Sequence, residues 1–163
     1  MPCRRNSGRG RWPVIALAAA AIAGFLAWSV WPSRGVPLAN PDDSRQVALG
    51  RAIYQDRCAS CHGADLRGQP DWQTRKPDGR MPAPPHDASG HTWHHPDDQL
   101  FGIVKHGIEP FASPGYQSDM PSFEGALADE EIWAVIAFLK SAWPERERSF
   151  QERVSRPMRG AEE

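Results

Sequence analysis

An all-α domain is what this sequence predicts, on three observations. Three segments carry apolar residues at helical spacing behind recognisable start signals. No stretch alternates apolar and polar residues for long enough to make a strand. The motif "CASCHG", residues 58–63, closes the first of those segments, and some thirty residues dense in proline, glycine and histidine follow it, from Ala64 to His95.

The chain has 163 residues, enough for one compact domain with appendages. Residues 1–13 are basic and are followed by an uncharged apolar run, Val14 to Trp31, of 18 residues. As a helix that run is about 27 Å long, close to the roughly 30 Å hydrocarbon core of a bilayer. Arg4, Arg5, Arg9 and Arg11 precede it and only Arg34 follows, so the positive-inside rule puts the N-terminus in the cytoplasm. Trp28 and Trp31 then fall at the outer interface. A cleaved secretory signal is the competing reading, and the alanine-rich centre suits it. Against cleavage, the run exceeds a typical signal core, and a cut after Ala39 would place Pro37 at the third position back. The expected organisation is therefore a cytoplasmic stretch (1–13), a transmembrane anchor or signal sequence (14–31), a proline- and glycine-containing tether (32–43), a domain (44–143) and a charged tail (144–163). Either reading exports the domain. Cys3 stays behind, with no lipid-attachment pattern around it.

The first helical segment is "DDSRQVALGRAIYQDRC". Asp43 or Ser44 can cap it, and Val47, Gly50, Ile53, Tyr54 and Cys58 share a stripe. Glycine inside a helix costs about 1 kcal/mol against alanine, so Gly50 points to a second helix crossing closely. In the second segment, "HPDDQLFGIVKHG", Pro96 suits the first turn and Asp97 and Asp98 complement the helix dipole. Leu100, Ile103 and Val104 form its apolar face, and Gly107 is the stop. The third, "ADEEIWAVIAFLKSAWP", has acids in its first turn, an apolar face of Ile132, Val135, Ile136, Leu139 and Trp143, and Pro144 as terminator. Beyond it, Phe150 and Val154 could support a short helical extension or a frayed tail.

Charge narrows the partners. No acid precedes Asn40, and the rest of the chain carries 14 basic and 20 acidic residues, a net of −6. Phosphate binding needs a basic surface, so nucleic acid is excluded as a partner and room is left for a basic protein.

Four readings compete for Cys58, Cys61 and His62. A disulfide across two residues closes a tiny loop and adds little stability. Zinc needs four ligands, the exported part has no second cysteine pair, and a mixed Cys/His site is conceivable but lacks the usual spacing. A redox dithiol of the thioredoxin kind belongs in an α/β frame, for which no strands are present. The fourth reading is covalent haem: thioethers from Cys58 and Cys61, with His62 as the proximal iron ligand. It accounts for the modest core, because a porphyrin would be the centre that the long loop wraps, and for export. It also has a candidate sixth ligand in Met120 of "YQSDMPSF", fifty-eight residues beyond His62 and just before the last helix.

With these residues in view, the sequence resembles the class I c-type cytochromes, specifically a membrane-anchored bacterial monohaem form. "GRAIYQDRCASCHG" resembles the N-terminal helix and haem motif of that family, and "MPSFEGALADEEIWAVIAFLKS" its axial methionine and C-terminal helix. The resemblance runs from about Ser44 to Trp143. It implies an all-α class I cytochrome c domain around one covalently bound haem c, with Gly50 and Tyr54 crossed by Val135 and Phe138. It implies a single-electron carrier, not an enzyme, exchanging electrons with redox partner proteins, including a membrane respiratory complex. It places the protein in the inner membrane by a single pass, with the domain in the periplasm. Ala128 departs from the Ser or Thr often found before "DEE", which weakens that cap or moves it to Asp129.

The resemblance also sorts the remaining candidates. Met81 is the rival thioether, in a loop expected on the proximal side. Pro84 or Pro85 is expected to offer its carbonyl to His62 Nδ1, fixing the ring. Trp93 and Trp72 are candidates to donate an indole N–H to a haem propionate or to pack against the ring, and Arg80 to contribute charge there. His86, His91, His94, His95 and His106 read as loop histidines with one or two supporting the haem edge, while His94 or His95 is the rival to Met120 as axial ligand and "HTWHH" a candidate copper site. Two alternatives stay open: a haem enzyme or gas sensor with a displaceable sixth ligand, and a metal-handling protein using the histidine-rich loop.

Overall fold

A computed structural model describes residues 38–159, with side chains to Arg156. Five helices follow in order: α1 (Ser44–Arg57), the single turn α2 (Ala59–His62), α3 (Asp97–His106), α4 (Asp129–Ser141) and α5 (Glu145–Arg159). Short 3-10 turns lie at Thr92–His94 and Glu109–Phe111. Among the described residues there is no strand, only an isolated bridge between Glu124 and Leu127. None of these helices is long and apolar enough to cross a membrane. The span expected over 14–31 lies outside the described residues.

The capping chemistry sets the boundaries. Asp43 caps α1, its carboxylate accepting from the N–H groups of Arg45 and Gln46 at 2.9 and 3.3 Å. Pro96 stands one place outside α3, as its N-cap in extended conformation, and not in the first turn as expected. Ala128 keeps the N-cap position of α4, and the Glu131 carboxylate compensates by accepting from Ala128 N–H at 2.8 Å.

α1 crosses α4 where the glycine predicted it. A Cβ on Gly50 would lie 1.8 Å from the carbonyl oxygen of Ala134, so no other residue lets the two backbones meet. One turn on, the Tyr54 and Phe138 rings pack at 5.3 Å. The core includes Tyr54, Leu66, Leu100, Ile132, Val135, Ile136, Phe138, Leu139 and Trp143, all of them buried, and it draws most heavily on α4.

The segment after Pro144, expected as a charged tail with at most a short helix, is the fifteen-residue helix α5. Its inward stripe is polar: Glu147, Gln151 and Ser155 are buried at successive turns. Gln151 Nε2 donates to Asp97 Oδ1 at 2.6 Å, and Ser155 Oγ accepts from Asp97 N–H at 3.0 Å. Asp97 is thus not a solvated charge at a helix end. It is buried, and both of its oxygens accept from Lys140 Nζ, at 2.8 and 3.0 Å. This cluster ties the start of α3, the end of α4 and the middle of α5 together.

Candidate haem-attachment site

The motif is built where α1 turns into α2. Cys58 caps the end of α1 and starts α2, with its N–H bonded to Tyr54 O, and His62 N–H donates to Cys58 O at 2.9 Å. One helical turn therefore carries both cysteines and the histidine. Tyr54 holds it from beneath, its hydroxyl donating to Gly63 O at 2.9 Å.

Cys58 is half-buried, Cys61 is exposed, and the two are not bonded to each other. Burial, with the neighbouring Cys61, pushes the Cys58 thiol up to about 11. A redox dithiol works through a thiolate stabilised below its ordinary pKa, so the shift runs against that use. His62 is buried, and burial lowers its pKa although its bond to Pro84 opposes the shift. The ring is held neutral. Its Nδ1 donates to Pro84 O at 2.9 Å, which commits that nitrogen and leaves Nε2 as the ligating atom. Of the two prolines expected for this bond, Pro84 makes it, while Pro85 O accepts from Thr92 Oγ1 at 3.4 Å. Gly68 makes room: at φ +69 it presses on Ala83, Pro84 and Pro85, and a Cβ there would lie 2.6 Å from the Ala83 carbonyl oxygen.

Met120 lies on a separate segment between α3 and α4 and is half-buried, its N–H bonded to Ser118 Oγ at 3.0 Å. Its neighbour Asp119 accepts from Lys76 at 2.6 Å and lies 3.3 Å from Arg80 Nε. The bond from Lys76 holds the Asp119 carboxyl below its ordinary range. Arg80 therefore acts first on the methionine loop, pinning it to residues 76–80. Met81, the rival thioether, is half-buried in the loop after Arg80.

Trp93 and Trp72 part company. Trp72 stacks on His91 with ring centroids 5.6 Å apart. Trp93 packs edge-on against Phe150 at 5.4 Å, and its buried Nε1 has no partner in the protein. The Nε of Arg80, by contrast, faces the Asp119 carboxylate at 3.3 Å and is committed to that ion pair. Buried donors without acceptors are uncommon, and a haem propionate is the acceptor such donors suit. Two free thiols one turn apart, a neutral buried imidazole, a thioether on a tethered loop and the unsatisfied indole N–H of Trp93 together fit haem.

His86 was not separated from the other loop histidines by sequence reasoning. It stacks on His62, with ring centroids 4.1 Å apart and planes 22° from parallel. Its position directly behind Pro84-Pro85 was the available signal. Elsewhere, no three His, Cys, Asp or Glu side chains converge as metal ligands would among the described residues, so the histidine-loop alternative finds no ligand set there.

A helical domain built around a C-x-x-C-H turn of this kind defines a haem-binding domain of the c type. The chain belongs to the cytochrome c family, whose pattern it matches over residues 47–143, and that family holds haem c covalently. Among curated proteins it is similar to a cytochrome bc1 complex cytochrome c subunit from Mycobacterium bovis, 40% identical over 68 residues, covering 42% of this chain and 23% of that protein. It is also similar to two thiosulfate dehydrogenases. The one from Allochromatium vinosum is 31% identical over 152 residues, 84% of this chain and 50% of the relative. The one from Stutzerimonas stutzeri is 29% identical over 132 residues, 74% and 39%. The chain spans half or less of the length of these relatives.

Proposed function

We propose that the protein is a single-electron carrier in which Cys58 and Cys61 hold one haem c and His62 and Met120 are its axial ligands. The observation that carries this reading is the turn 58–62, with His62 buried, neutral and committed through Nδ1 to Pro84. The haem supplies the Fe(III)/Fe(II) couple when bound. The chain's own residues do the rest. Pro84 fixes the tautomer of His62, Asp119 with Lys76 and Arg80 holds the loop that presents Met120, and Trp93 offers a buried N–H to an acid group. With His62 and Met120 both holding the iron, the chain would keep substrates off it and the bound group would serve electron transfer.

The likeness to the bc1 subunits supports a respiratory complex as partner. The N-terminal apolar run supports an inner-membrane anchor with the domain in the periplasm. A second reading draws on the two thiosulfate dehydrogenases, which match most of this chain: the domain would accept electrons during thiosulfate oxidation.

Expression of the full chain in a bacterium equipped for haem attachment separates these outcomes. The carrier reading expects a haem protein in the inner-membrane fraction, reversible one-electron reduction and no reduction by thiosulfate. Reduction by thiosulfate alone would favour the second reading. A soluble periplasmic product starting at or after Asn40 would overturn the anchor, and irreversible or multi-electron behaviour would overturn the carrier.

A further inference from the structure

We infer that His86 is a positioning residue for His62: its stacked ring fixes the orientation of the proximal imidazole and makes the oxidised iron easier to hold. The inference rests on His62 being an axial ligand.

His86 is held from several sides. Its N–H donates to Leu66 O at 2.8 Å, and its carbonyl accepts from Trp143 Nε1 at 2.7 Å. Its ring Nδ1 lies 2.8 Å from Thr92 Oγ1, and that hydroxyl in turn donates to Pro85 O at 3.4 Å. With its proton turned toward Pro85, Thr92 accepts from His86 Nδ1–H, which assigns the tautomer and stops the ring from turning. The Tyr54 ring stands edge-on at 6.3 Å. Leu66 supports the arrangement from a left-handed conformation, φ +68, that a branched side chain rarely adopts, and its carbonyl accepts from both His86 and Asp87. Strain at a buried leucine is retained where its surroundings demand that backbone.

The Pro84-Pro85-His86 run then grips His62 twice. Pro84 takes its Nδ1–H, and His86, two residues later, covers a ring face at a centroid distance of 4.1 Å. Rotation of His62 about its ring axis would break the hydrogen bond and open the stack together. Both prolines have φ locked, so the spacing of the two grips is rigid. The stack has an electronic consequence as well. An imidazole bound to iron through Nε2 carries partial positive charge, more of it when the iron is ferric. The face of a neutral aromatic ring attracts positive charge, so His86 favours Fe(III) and lowers the reduction potential.

The test compares haem-loaded wild type with His86→Leu, which removes the ring, and His86→Phe, which keeps an aromatic ring and loses both nitrogens and the bond to Thr92. Equilibrium potentials and the g-values of the frozen ferric protein are read for each. His86→Leu is expected to raise the potential by about 28 mV, a threefold change in the one-electron equilibrium at 59 mV per tenfold, and to shift the g-values. His86→Phe, which keeps the stack but not the bond to Thr92, is expected to hold the potential near wild type while its ferric signal broadens. Unchanged values in the leucine variant, or an equal shift in the phenylalanine variant, would overturn the inference. Should the leucine variant not load haem, Thr92→Val frees the His86 ring to turn without removing it. The ferric signal should then broaden, and an unbroadened signal overturns the proposal. A wild-type signal without histidine ligation would overturn the role of His62, and this inference with it.

Discussion

Met120→Ala is expected to abolish the weak far-red band that thioether ligation gives the ferric protein, and to lower the reduction potential by about 100 mV or more. That fall is roughly a fiftyfold change in the one-electron equilibrium. A thioether is a soft ligand that stabilises Fe(II) relative to water or nitrogen donors, and alanine leaves the position open. Exogenous imidazole and peroxide should then reach the iron. The structure gives the reason for choosing this methionine. Met120 is half-buried on a loop fastened through Ser118 Oγ, and through Asp119 to Lys76 and Arg80, so its side chain is presented from a held backbone. Met81 follows Arg80 on the segment that leads into Pro84, the partner of His62 Nδ1, and serves as the control. Met81→Ala and the paired change His94→Ala with His95→Ala should leave the band intact. Survival of the band in Met120→Ala, or its loss in either control, would reassign the ligand.

Lys140→Met is expected to destabilise the folded domain by about 3–5 kcal/mol in denaturant titration, with the slope unchanged. Lys140 and Asp97 have side chains only 3% and 8% exposed and lie 2.8 Å apart. Taking the lysine away leaves a buried carboxylate with the neutral amide of Gln151 as its donor, which is the costly half of the change. Neutralising both ends, Asp97→Asn with Lys140→Met, should recover more than half of the loss, because an isosteric uncharged pair avoids the desolvation penalty. Gln151→Ala should be milder, since it removes one donor and leaves the ion pair. A Lys140→Met protein within about 1 kcal/mol of wild type would show that α5 and the Asp97 cluster do not stabilise the domain.

Legibility in the sequence followed the sign of the buried stripe. α1, α3 and α4 bury apolar faces, and Ile132, Val135, Ile136 and Leu139 announced themselves by their spacing. α5 buries Glu147, Gln151 and Ser155. Hydrophobic periodicity is blind to such a stripe, so the segment read as a tail. Asp97 misled for a related reason: an acid in a first turn is normally a solvated partner of the helix dipole, and only the fold brings Lys140 to it from 43 residues away. Gly50 was readable because a glycine inside a helix needs a reason, and the Ala134 carbonyl supplies it. At the site, residues 58–62 are contiguous, so their chemistry is written in the chain. The groups that orient His62 come from a loop with no periodicity. Only the structure selects Pro84 over Pro85, and only the structure separates the stacked His86 from its neighbours His91, His94 and His95.

The central claim is that haem is bonded to this polypeptide at Cys58 and Cys61. Trypsin cutting after Arg57 and Arg67 should release a peptide running from Cys58 to Arg67, which isolates the motif. Mass spectrometry of the denatured, digested holo-protein should find that peptide carrying one haem, with neither cysteine open to alkylation. The same peptide at its unmodified mass, with two alkylatable thiols and the haem extracted into acid acetone, would contradict the account.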